Sequence, residues 1–181
     1  MVTNYMSWDG GVDLVGLCNG AEQPNIVVHV ARMVHTPAGS APAGMVLIQT
    51  DPAAAPEVMG FVSSDPAVGA YFGPHIFSGT PFENAPFLEG TIVIEQHGDS
   101  VSSTVTVGGK TIVSTLSGLG SLEKIDRDPG LMTPFSQSVL EATATGASLE
   151  VDGVAIELTV PEVGISGGPG AVFSPAGIYS R

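Results

Sequence analysis

The chain has little positive charge, one cysteine, few aromatic residues and no long apolar run. Five Lys and Arg stand against eighteen Asp and Glu, a net charge of −13. Nucleic acid and anionic membrane surfaces are bound through a basic footprint, so neither is an expected partner. The acidity fits solubility, a saline setting or a cationic partner, and composition does not choose among them. Cys18 is the single cysteine, so an intrachain disulfide framework is excluded and a reducing, cytoplasmic setting is expected. Leu17 and Asn19 beside it supply no base or cation, which points to a buried, inert thiol. No stretch reaches the roughly 18 apolar residues of a membrane helix, and no basic segment followed by an apolar run marks a secretory signal. Aromatic residues are 6% of the chain although hydrophobic residues are 43%, so small and β-branched side chains must fill the core.

Glycine and proline, by contrast, are abundant at 24 and 14 residues, a composition suited to many short strands joined by tight turns. The clearest signals are two-residue loops between apolar alternations, Gly108-Gly109 and Asp152-Gly153. The first places Val105 opposite Ile112, Ser103 opposite Ser114 and Val101 opposite Leu116. The second places Val151 opposite Val154, Leu149 opposite Ile156 and Ala147 opposite Leu158. Both registers match apolar with apolar on one face. His97-Gly98 is a weaker turn of the same kind. It predicts Ile94 opposite Val101 and Ile92 opposite Ser103, and so a three-strand apolar face. Val93, Val113 and several threonines lie on the other side, which suits contact with another sheet or subunit.

Further strands are expected over Val12–Cys18, Ile26–His35, Gly44–Thr50, Glu57–Ser63, Thr91–Gln96, Ser138–Val151 and Val154–Val160. Gly146 is placed as a bend in a long strand. Ser121–Arg127 and Phe135–Thr143 are the best helical candidates, both short. Asp51-Pro52, Asp65-Pro66 and Asp128-Pro129 read as turns. The count is roughly eight to ten strands at all-β spacing. The expected fold is an all-β, antiparallel, closed or nearly closed up-and-down barrel, with a β-sandwich as the alternative. Residues 1–160 form the domain. Residues 161–181, with five Gly and three Pro, are expected as an irregular segment that packs on it or is flexible.

Candidate functional residues come from departures within these patterns. Strict alternation puts His29 and His35 on one strand face, about 20 Å apart, too far to share a metal. No His-x-His or Cys-x-x-Cys spacing supports a metal site, and no cofactor motif is present. His29 is a candidate general acid or base, since imidazole titrates near neutrality. Arg32 is the only basic residue before Lys110 and stands among apolar neighbours, so it is a candidate for holding an anionic or carbonyl group. Glu57 and Glu95 are partners for it by residue type alone.

Ser103 and Ser114 are two hydroxyls in an apolar row. They either hydrogen-bond to each other or mark a cavity that receives a ligand. Mutual contact in a filled core would exclude a pocket there. Tyr71–Leu88 holds five aromatic residues and His75, as expected of the mouth of a β structure. Tyr71, Phe72, His75 and Phe77 are its candidate ligand contacts. No Gly-x-Ser-x-Gly elbow is present, and Gly167–Gly170 lacks the ending of a phosphate loop.

Two functions fit. One is a barrel binding a small apolar ligand, able to support a cofactor-free isomerisation, cyclisation or hydration. The other is a non-catalytic assembly module that forms homo-oligomers.

Overall fold

The computed structural model describes residues 4–130 and 133–181. Among these, twelve strands form one sheet: β1 (Tyr5–Gly16), β2 (Ile26–Thr36), β3 (Gly39–Ile48), β4 (Val58–Ser63), β5 (Phe87–His97), β6 (Ser100–Val107), β7 (Lys110–Ser117), β8 (Glu123–Arg127), β9 (Ser136–Thr143), β10 (Gly146–Val151), β11 (Val154–Ile156) and β12 (Ala171–Ser180). The order across the sheet is β11-β10-β7-β6-β5-β4-β3-β2-β1-β12-β9-β8. All pairings are antiparallel except β4 with β5, which is parallel.

The all-β expectation holds, but the barrel of eight to ten strands does not form. The sheet is open, ending at β11 and β8. A parallel pair needs a crossover, and Ser64–Pro86 supplies it through helix α1 (Pro66–Tyr71) and a π-helical turn (Phe72–Ile76). Asp65-Pro66 thus starts a helix. The Asp65 carboxylate accepts from the amides of Ala67 and Val68, and Pro66 lies in the first turn. The exposed edges are blunted. β11 is three residues long, and β8 (Glu-Lys-Ile-Asp-Arg) is almost wholly charged.

Strands β1–β3 are buried on both faces, which is why they read as nearly continuous apolar runs. On one face Leu14, Val28 and Val46 pack against Val105, Ile112 and Leu149 from the folded-back hairpins. On the other, Val27, Ala31 and Met45 pack against Val68, Phe72 and Tyr179 from α1, the π turn and β12.

The turn registers are mostly as expected. Val105–Ile112, Ser103–Ser114 and Val101–Leu116 are opposed, as are Val151–Val154 and Leu149–Ile156. Gly108, Gly109, Asp152 and Gly153 all have positive φ, as a type I′ turn demands. The Ala147–Leu158 pair is absent, because β11 ends at Ile156 and Thr159 bridges Leu17 instead. The third hairpin turns at Gly98-Asp99, with Gly98 at φ 60°. Ile94 therefore faces Ser103 and Ile92 faces Val105, two residues from the expected register but on the same face. Glycine at the first loop position is the type II′ signature, and it outweighs His97 as a loop residue.

Three segments differ from expectation. Both helical candidates lie mainly in strands β8 and β9. The expected long strand Ser138–Val151 breaks at Ala144-Thr145, so β9 pairs with β8 and β12 while β10 pairs with β7 and β11. The C-terminal segment contains β12, inserted between β1 and β9. Its glycine and proline sit at close approaches and a bulge, and they disguised a strand.

That bulge is shared by three strands. Gly10 of β1 (φ 66°) lies level with Arg32 of β2 and Pro175 of β12. β2 carries one more residue than β3 across this row, and β12 one more than β9. An extra residue reverses the alternation beyond it. Val34 therefore joins the core containing Val27 and Ala31. His29 and His35 accordingly do not share a face, and His35 lies outside, against Asp9 and Ser40.

Candidate functional site

Asp13 and His29 are directly opposed on β1 and β2. Cross-strand neighbours are the shortest way for a sheet to bring an acid and a base together. The row beyond them is Gly11, Ala31 and Ala43, all small, and it leaves space above the sheet. Trp8 bounds that space. Its indole lies across Gly11 and Gly177, where a Cβ would come within 2.9 and 2.3 Å of it. The indole NH donates to Ser174 Oγ at 3.1 Å. The result is a small cavity of about 30 Å³, whose polar lining is Asp13, His29, Glu141, Ser166, Ser174 and Tyr179.

The polar residues form a connected chain. Ser166 Oγ donates to Asp13 Oδ2 at 3.0 Å, and Gln137 Nε2 donates to the Ser166 carbonyl at 2.5 Å. Arg127 donates to Gln137 Oε1 at 3.2 Å and grips both oxygens of Glu141 at 2.8 and 2.7 Å. Asp13, Gln137, Glu141 and Ser166 are all buried. The two acidic side chains are matched by His29 and Arg127, the compensation that buried charges require.

His29 Nδ1 lies 3.3 Å from Asp13 Oδ1, and the two are misaligned for a hydrogen bond. Burial works against charging the ring, but the attraction of Asp13, with Glu141 adding to it, outweighs burial and raises the His29 pKa. Burial, reinforced by Asp13 and Glu141, pushes the Tyr179 phenol far up, so it stays neutral. Tyr179 stacks between Phe135, at 4.3 Å, and the more distant His29 ring, at 6.2 Å.

A larger cleft of about 580 Å³ lies on the same sheet face, lined chiefly by apolar groups including Val27, Leu47, Phe77, Phe82, Phe135 and Ile165. This volume is in the range of small-molecule sites. Neighbouring residues line the cleft and the cavity. Val27 and His29 are alternate residues of β2. Ile165 faces the cleft while Ser166 faces Asp13. Phe135 faces the cleft while Tyr179 faces the cavity.

The sequence candidates separate accordingly. His29 lines the cavity and Phe77 the cleft. Arg32 is exposed, lies across Gly10 and makes no ion pair among the described residues. Glu57 instead accepts from the amide and hydroxyl of Thr50. Ser103 and Ser114 are fully buried and hydrogen-bonded to each other at 2.6 Å within the other core, so that face holds no pocket at these hydroxyls. Tyr71 accepts from the Tyr5 amide and stacks on His75, whose ring contacts Asn4. Phe72 packs on Phe61. These three lie apart from the cleft. Cys18 is buried beside Asn25, and burial pushes its thiol pKa up.

Asp13, Glu141, Gln137, Ser166, Tyr179 and Trp8 were not singled out from sequence. One signal was present: Asp13 and Glu141 are each flanked directly by apolar residues, Val12 and Leu14 for the first and Leu140 and Ala142 for the second, and a buried acid demands a partner. Among the described residues, no group of three or more His, Cys, Asp and Glu could hold a metal ion. No helix is long and apolar enough to cross a membrane.

No protein-family model matches the chain, and no curated protein matches it. Among solved structures it is similar to the crystal structure of acetoacetate decarboxylase from Legionella pneumophila subsp. pneumophila str. Philadelphia 1. The identity is 10% over 99% of this chain and 85% of that one, with a TM-score of 0.43. At that identity and score, nothing about activity carries over.

Proposed function

We propose that this protein binds a small, mainly apolar molecule in the cleft bounded by Val27, Leu47, Phe77, Phe82, Phe135 and Ile165. The observation that carries this reading is the size and apolar lining of that cleft. Burying apolar ligand surface there would contribute about 25 cal/mol per Å². For a ligand that reaches from the cleft into the neighbouring cavity, His29, paired there with Asp13, is the acid or base for a cofactor-free isomerisation, cyclisation or hydration. Arg32, Ser103 and Ser114 have no part in the proposal.

An assembly role is supported by a different observation. Val93 is 54% exposed on the outer face of β5, away from both cores. Native mass spectrometry of the purified full chain separates the two readings. A mass exceeding the chain by that of a small molecule, lost on collisional activation, is the expected result. Ligand-free multimers whose dissociation follows Val93→Lys would favour assembly.

A further inference from the structure

No charged side chain lines the 580 Å³ cleft among the described residues. Its wall is apolar and aromatic. Phe77 meets Phe82 and Phe135 edge-on, with ring centroids 6.3 and 6.1 Å apart, and such a corner packs well against flat rings. The polar side chains at the cleft are Gln23, Thr80 and Thr133. The Thr80 hydroxyl is already engaged, donating to the Phe77 carbonyl and accepting from the Phe82 amide. An amide and a hydroxyl remain, both neutral and both able to donate and to accept.

The cations of the chain are committed elsewhere. Lys110 pairs with Asp152, Lys124 with Asp126 and Arg127 with Glu141. Arg181 donates to the carbonyls of Ile76 and Ser78, and Arg32 lies across Gly10. His29, in the neighbouring cavity, is matched by Asp13. Two exposed acids, Glu22 and Glu162, directly precede the lining residues Gln23 and Val163. An anionic group entering the cleft would therefore give up water and meet no counter-charge, which is far costlier than burying a neutral polar group that finds a partner.

We infer that the cleft selects an apolar ligand whose polar group is a neutral hydroxyl, carbonyl or amide, and refuses the same skeleton when it bears a carboxylate, sulfonate or phosphate. This selection rests on the cleft being the ligand site proposed above, and it names the class of ligand that site takes.

The test uses the full chain with N-phenyl-1-naphthylamine bound, displaced in parallel by 2-naphthaleneethanol and by 2-naphthylacetate. The two competitors share one carbon skeleton and differ in a hydroxyl against a carboxylate. The alcohol should displace the probe at least about tenfold more tightly than the acetate. The preference should persist in about 1 M salt, where charges are screened within about 3 Å and the net charge of −13 no longer repels anions at a distance. Gln23→Arg, at an exposed position on the cleft, should narrow the gap by tightening the acetate. Equal displacement by the two competitors, or a gap that closes in high salt, would overturn the selection and leave the cleft standing as a ligand site. A gap untouched by Gln23→Arg would assign the preference to something other than charge and would overturn it too. Failure of the naphthylamine itself to bind wild type would remove the cleft reading, and this inference with it.

Discussion

Ser166 donates its hydroxyl hydrogen to Asp13 at 3.0 Å, joining positions 153 residues apart. The bond ties the segment that carries Ile165, a cleft-wall residue, to the acid–base pair behind it. Removing the hydroxyl deprives a buried carboxylate of its partner. Ser166→Ala should cost about 1–3 kcal/mol in denaturant unfolding. It should also weaken binding of an apolar probe in the cleft, whereas Ser148→Ala, at an exposed position, should do neither.

His29 gives the pH dependence a definite sign. Its folded-state pKa is raised, because Asp13 and Glu141 outweigh burial. Its contribution to stability is therefore complete below the unfolded value of about 6.5 and is lost as pH rises through the folded pKa. Unfolding free energy measured across that window should fall with rising pH. The fall should be reduced in His29→Gln. An unchanged slope in the variant would place the titration elsewhere.

Arg127 and Glu141 form a two-pronged pair on neighbouring strands, with the Glu141 side chain 7% exposed. Truncating one partner strands the other charge. Glu141→Gln should destabilise the fold by about 3 kcal/mol in chemical denaturation. Replacing both residues with apolar side chains of similar volume should cost less than that single change.

The Ser103–Ser114 hydrogen bond lies in a filled core and makes a sharper test of accounting. Either serine changed to alanine leaves one buried hydroxyl alone, at a cost of about 1–3 kcal/mol. The double alanine variant should be closer to wild type than the sum of the singles. A double-mutant cycle reads the coupling directly.

The hairpins were legible because loops demanding positive φ fix register locally. Gly108-Gly109 and Asp152-Gly153 needed nothing from the rest of the chain. The open sheet was hidden by the crossover between β4 and β5, whose parallel pairing is set by distant contacts. The face assignment of β2 failed at Arg32 because its bulge exists only in register with Gly10 and Pro175. His29 was found as a lone strand histidine. Its partner was not, because alternation within one strand says nothing about which strand lies beside it. The polar chain draws Asp13, Gln137, Glu141 and Ser166 from three separate stretches, and only the tertiary fold brings them together.

The central claim is that the cleft holds a small apolar ligand. A fluorescence titration with N-phenyl-1-naphthylamine, a neutral probe, tests it on wild type and on Leu47→Trp. Leu47 is 8% exposed and lines the cleft, so an indole there would fill space the probe needs. The account predicts saturable binding to wild type, weakened at least about tenfold, or roughly 1.4 kcal/mol, in the folded variant. Equal affinity for both proteins, or no saturable binding to wild type, would contradict it.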